Sequence, residues 1–134
     1  YRICADGNNI YCSNVVQVTA ENENEKPEEV SLLASYSNGS LTLNWEESEE
    51  RDFKYYKVVW SQTTATPVYP TDGYLKAEST ASNTSFTDDG SKVGSRTAAV
   101  DLSRGTHYYS VCVVDSQNQV ACSEAVTLVE GVVQ

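Results

Sequence analysis

Two cysteines in the run YYSVCVVDSQNQVACSEAV, from Tyr108 to Val126, limit the fold more than any other feature of the chain. Two apolar arms flank a polar turn and each arm carries one Cys, which is the pattern of a β-hairpin stapled across its ladder. The same order opens the chain as YRICADGNNIYCSNVV, from Tyr1 to Val16: aromatic, β-branched, Cys, turn, Cys, Ser, then an apolar pair. One hairpin therefore occurs twice, with about one domain's worth of further strands between the copies.

At 134 residues and 40% hydrophobic content the chain can bury one modest core. Tyr is abundant at 9 residues, Met is absent and no long helix-forming run appears, so an all-β fold is expected. The cysteines pair locally, Cys4 with Cys12 and Cys112 with Cys122, each bridge across its own hairpin and facing away from the core. Such bridges fit an oxidising compartment, and an extracellular or cell-surface location is the expectation. A zinc site would bring four ligands together at Cys spacings of two to four residues, whereas seven and nine residues separate these pairs. No metal or cofactor is expected.

A net charge of -10, with only 9 Lys and Arg, lacks the cationic stripe that phosphate backbones require, so nucleic acid is not an expected partner. No apolar run approaches the roughly 20 residues of a membrane span, so no membrane insertion is expected of this stretch. Any targeting or anchoring segment is expected outside it, because Tyr1 already stands within a strand pattern. Ten acidic residues lie between Glu21 and Asp52, in the AENENEKPEE stretch and the EESEERD loop. They read as solvated surface, since neither has the regular ligand spacing of a calcium loop.

Three segments follow. Residues 1–19 form the first hairpin, with Tyr1, Ile3 and Ala5 on one face and Asp6 to Asn9 as its turn. Residues 20–29, which lack apolar periodicity and contain Pro27, form an acidic linker. Residues 30–130 form the domain. Within it Val30 to Ser37 is a strand, Asn38-Gly39 a turn, and Leu41, Leu43 and Trp45 the inward face of the next strand. Phe53 to Trp60 is the third strand, with Tyr56, Val58 and Trp60 on one face and Tyr55, Lys57 and Val59 on the other. A loop with Pro67 and Pro70 follows, then strands at Tyr74 to Thr80, Thr84 to Thr87 and Thr97 to Leu102.

These pieces resemble a fibronectin type III domain. The resemblance rests on Leu41-x-Leu43-x-Trp45, on Tyr56-x-Val58, and on Leu102-x-x-Gly105-Thr106 followed by an aromatic and alternating Val, and covers about Val30 to Leu128. It implies an immunoglobulin-like sandwich of two antiparallel sheets, of the tandem-repeat kind found in prokaryotic surface or secreted proteins. Arg104 stands where the family usually has Pro, and cysteines in the last hairpin are not a general family feature. The family's tyrosine on the sixth strand falls on Tyr108 counting forward from Gly105 and on Tyr109 counting back from Asp115. Tyr109, Val111 and Val113 are taken as inward, because the other register would bury Ser110.

The resemblance implies a binding or spacer module, and the residues point the same way. The single His107 sits among aromatics at a strand entrance, where a packed role is expected. Glu46-Glu47 and Asp88-Asp89 are adjacent in extended chain and so point apart instead of flanking a bond. No catalytic residues are expected. The expected function is a structural or adhesive repeat acting through protein binding or self-association; a carbohydrate-binding or spacer module of a secreted enzyme is the alternative. The candidate interaction face carries Tyr55, Val59, Tyr108 and Val114 on the outer side of the third, sixth and seventh strands, unless the long Ser61 to Val100 segment covers it. Asn38 and Asn83 begin glycosylation triplets at turns. The first hairpin, with no strands of its own to cover it, is either the end of a preceding repeat or a strand pair donated to a neighbour to build fibres.

Overall fold

The turn Asn38-Gly39 fixes the first strand pair. Both residues take left-handed φ, 53° and 82°, the conformation that matches the twist of a two-residue hairpin and that Asn and Gly adopt most cheaply. It joins β1 (Leu32–Ser37) to β2 (Ser40–Trp45) with Ser37 opposite Ser40. Alternation then sends Leu41, Leu43 and Trp45 inward, all buried as expected. The computed structural model describes residues 26–134. The first hairpin, its Cys4 and Cys12, and most of the linker lie outside the described residues.

Seven further strands follow: β3 (Phe53–Ser61), β4 (Lys76–Glu78), β5 (Ser85–Asp88), β6 (Thr106–Asp115), β7 (Val120–Cys122), β8 (Val126–Val129) and β9 (Val132–Val133). They form two antiparallel sheets, β1-β2-β5 and β4-β3-β6-β8-β9, with β7 also paired to β6. The described chain is thus an all-β sandwich. Its core interleaves Leu41, Leu43 and Trp45 with Tyr56, Val58, Tyr109, Val111, Val113 and Leu128. Trp45 and Phe53 meet Tyr56 edge-on, with ring centroids 5.4 and 4.7 Å apart. Each fully buried aliphatic side chain contributes about 1.5–3 kcal/mol from removal of apolar area from water.

The last arm of the stapled hairpin is broken. β7 and β8 both pair with β6, and the ladder is interrupted between Cys122 and Val126. Ser123 mends the break: its N–H donates to the Val111 carbonyl at 2.9 Å, and its Oγ accepts the Val111 N–H at 3.0 Å. The turn before it is held by Asp115, whose Oδ1 accepts the N–H groups of Gln117 and Gln119.

Several boundaries differ from those expected. Residues 97–102 form no strand; Val100 N–H donates to the Gly90 carbonyl, and the segment crosses the sandwich end to bury Leu102 and Arg96. β4 is shorter than Tyr74 to Thr80 because the Tyr74 carbonyl is taken by the N–H and hydroxyl of Ser95 instead of a ladder. The sandwich also exceeds residues 30–130. Pro27 is buried, and the Glu130-Gly131 turn adds β9, whose Val133 packs against the core.

Candidate interaction face

β3 and β6 are antiparallel neighbours, and their register sets Tyr55 opposite Val114, Lys57 opposite Cys112, Val59 opposite Ser110 and Ser61 opposite Tyr108. All eight residues therefore share the outer face of the sheet, and Tyr55, Val59, Tyr108 and Val114 are brought together as the alternation implies. The face is nevertheless closed. Val59 and Val114 are buried, Tyr55 and Tyr108 half-buried, and Ser110 is buried here although its neighbours Tyr109 and Val111 fill the inner core.

The cover is a strap, residues 62–75. It leaves β3 at Ser61, whose Oγ accepts the N–H groups of Thr63 and Thr64. Over β6 the Ser110 hydroxyl donates to the Pro67 carbonyl at 2.6 Å. A turn closed by Asp72, which accepts the Val68 N–H and returns its own N–H to the Val68 carbonyl, then swings two tyrosines back over β3. There the Lys57 ammonium lies 3.6 Å from the Tyr74 ring centroid, 4.5 Å from Tyr55 and 4.9 Å from Tyr69. Lys57 is only 5% exposed and, among the described residues, faces no carboxylate, so three ring quadrupoles stabilise its charge. Gly94 lets the second loop approach: its φ is +58°, and a Cβ there would collide with the Tyr74 carbonyl.

Cys112 and Cys122 are direct cross-strand partners joined as a disulfide. The bridge does point away from the sandwich core, yet Cys112 is buried under the strap and Cys122 half-buried. Asn38 and Asn83 both lie exposed on turns.

A second polar centre sits at the sandwich end, and no sequence pattern marks it. Arg96 Nη1 and Nη2 donate to the two carboxylate oxygens of Asp88 at 2.8 Å each, and the Tyr109 hydroxyl donates to Oδ2 at 2.7 Å. Burial alone would raise the Asp88 carboxyl, but hydrogen bonds from Arg96, Tyr109 and the Gly90 N–H, with the guanidinium charge, hold it below the usual carboxylate range. Burial and then the Asp88 charge push the Tyr109 hydroxyl well above an ordinary tyrosine. The guanidinium lies 4.1 Å over the Trp60 ring, and Trp60 Nε1 donates to His107 Nδ1 at 3.1 Å. His107 is fully buried and its Nε2 bonds the Arg104 carbonyl, which fixes the neutral Nε2–H tautomer. Both ring nitrogens are thus committed to structure. The seven residues between Asp88 and Arg96 carry no periodicity; the only hint in the sequence is an Arg in a Ser- and Thr-rich loop.

Among the described residues no three of His, Cys, Asp and Glu gather as a metal site, and no helix is long and apolar enough to cross a membrane.

No family model matches the sequence, and no curated protein matches it significantly. Solved structures do. The sixth fibronectin type III domain of human fibronectin type III domain containing protein 3 is similar over 79% of this chain and 87% of its own, at 14% identity and a TM-score of 0.54. Pectate lyase PelI from Erwinia chrysanthemi, solved with tetragalacturonic acid, is similar over 75% of this chain at 19% identity and a TM-score of 0.52. The spore cortex lytic enzyme SleM from Clostridium perfringens is similar over 83% of this chain at 16% identity and a TM-score of 0.51. The chain spans 27% of the length of that pectate lyase and 29% of that of SleM. At these identities the likeness concerns the fold, which is fibronectin type III-like.

Proposed function

We propose that the chain is a non-catalytic, extracellular link that holds other parts of a larger protein in line. One observation carries this reading: β1 begins and β8 ends at opposite poles of the sandwich. Glu28 N–H donates to Glu50, and the Ser31 carbonyl accepts the Glu46 N–H, so the first described residues sit at the pole where β2 ends and β3 begins. β8 ends at the other, where Gly131 packs beside Tyr36 and Ser103 and Glu130 exchanges bonds with Gly105, before the short β9 turns back along β8 and Gln134 N–H donates to the Thr127 carbonyl. β6, with 10 residues, sets the distance between them at roughly 33 Å. The disulfide suits an oxidising setting. With the β3/β6 outer face closed by its own strap, partner recognition falls to loops and poles.

A second reading is favoured by the matched pectate lyase and cortex lytic enzyme, in each of which the similar part is under a third of the chain. There the same link would sit beside a polysaccharide-degrading domain, as a spacer or a carbohydrate-binding module. Small-angle scattering on a head-to-tail fusion of two copies tests the in-line reading. The largest dimension should grow by at least about 33 Å over one copy. A fusion folded back to nearly the single-copy dimension would contradict it. Retention of the single chain on polygalacturonate or peptidoglycan would favour the carbohydrate-binding form of the second reading.

A further inference from the structure

β1 is an edge strand, paired to β2 on one side and to no strand on the other among the described residues. The two-residue turn makes Ser37 and Ser40 a hydrogen-bonded pair, and the Glu46 N–H on the Ser31 carbonyl keeps the same alternation at the far end. Ser31, Leu33, Ser35 and Ser37 therefore bond β2. The N–H and C=O of Leu32, Ala34 and Tyr36 point outward and meet no partner among the described residues. Folded proteins shorten, charge or interrupt such edges. β4 is three residues with Lys76 and Glu78, β7 three, β9 two, and β5 four ending at Asp88. β1 is six residues, LLASYS, with no charge, no Pro and an unbroken register to β2. Beside this edge Leu33 is 73% exposed, more than any other large apolar side chain described.

We propose that β1 pairs with β1 of a second copy of this chain, antiparallel about a two-fold axis at Ala34. Charge selects that occupant. At a net charge of -10 two copies repel, and contact costs least where neither presents a carboxylate. The outer face of β1-β2-β5 is such a surface: Leu33, Ser35, Thr42, Asn44, Ser85 and Thr87 carry no charge, and the Thr42 and Thr87 hydroxyls bond each other at 3.3 Å. The edge is also self-complementary. About the axis Leu32 faces Tyr36 of the second copy, Ala34 faces its own counterpart, and the three outward N–H and three outward C=O groups of each copy close six hydrogen bonds. Leu33 then lies opposite Ser35 of the second copy and loses part of its exposure. Such a contact closes on itself as a dimer and joins two three-stranded sheets into one. It sets links side by side, leaves both poles free for other partners, and does not depend on the in-line reading.

Sedimentation equilibrium of the full chain tests it, with a monomer–dimer equilibrium expected between roughly 10 μM and 1 mM, the range of small, transient contacts. The amides of Leu32, Ala34 and Tyr36 should exchange more slowly as concentration rises. Ala34→Pro removes an outward N–H and leaves the bonds to β2 intact, so it should raise the dissociation constant roughly tenfold or more. Leu33→Glu alters a side chain that stands in solvent and sets two carboxylates across the axis, with an expected effect of the same size. Thr87→Glu, the same charge on the far edge of the sheet, should change the constant by less than about twofold. A monomer throughout that range, a dimer unmoved by both substitutions in β1, or equal weakening by Thr87→Glu and Leu33→Glu would overturn the proposal. So would assembly beyond the dimer, which a two-fold contact does not produce.

Discussion

Asp88→Ala is expected to lower the folding free energy by about 3–5 kcal/mol, the largest loss of any single substitution outside the apolar core. It strands the Arg96 guanidinium, with a side chain 2% exposed, and leaves the Tyr109 hydroxyl and Gly90 N–H without their acceptor. Urea denaturation at neutral pH measures the loss. Pairing Asp88→Leu with Arg96→Met should recover much of it, because the cost lies in the lone buried charge and not in the absence of a salt bridge. The pH dependence has a defined sign. The folded-state pKa of Asp88 is depressed, so its contribution is fully present above the unfolded value of about 3.9 and is lost as pH falls through the folded value. The substituted chain should lack that part of the acid response. Matching stability–pH curves for the two chains would show that the pair adds nothing.

Lys57→Glu is expected to cost about 3 kcal/mol, since it sets an unpaired carboxylate against three ring faces in a site closed to water. Lys57→Met keeps the stem and loses only the cation–ring attraction, about 0.5–2 kcal/mol. The difference between the two reports the charge and not the packing. Lys57→Glu should also free the strap first, which limited proteolysis at Tyr69 and Tyr74 would detect while the core stays folded. Equal stability and equal cleavage for Lys57→Glu and the unaltered chain would mean that the rings do not hold a cation.

The inner half of the sandwich was legible because local chemistry fixed it. Asn38-Gly39 set the β1–β2 register, and alternation then assigned Leu41, Leu43 and Trp45 without reference to any distant residue. Tyr109, Val111 and Val113 followed from the same period, though the reason given for them, keeping Ser110 out of the interior, did not hold. The strap explains why. Alternation places Tyr55, Lys57 and Val59 on one face but is silent on what lies over it, and the cover comes from a Pro-containing segment with no period. The Asp88–Arg96 pair was hidden for a similar reason, since Asp88 ends β5 and Arg96 reaches it from the irregular loop that follows. Residues 97–102 read as a strand from their composition, but burying Arg96 against Asp88 steers the chain across the sandwich end instead.

The outer face, taken from sequence as a candidate for binding, is thus a second interior beneath the strap. In the proposed role the fold meets its neighbours at its two poles. A pull on the ends first peels the two-residue β9 from β8; the load then runs along β1 and β8, which are drawn in opposite directions, so the ladder bonds of β1–β2 and β6–β8 are strained together and not one by one. Pulling a single chain by its ends with an atomic force microscope tests the in-line role most directly. A link should give way in one all-or-none event, with an extension that grows on reduction by the roughly 35 Å held behind Cys112 and Cys122. Gradual lengthening without a force peak would contradict a load-bearing role between the poles.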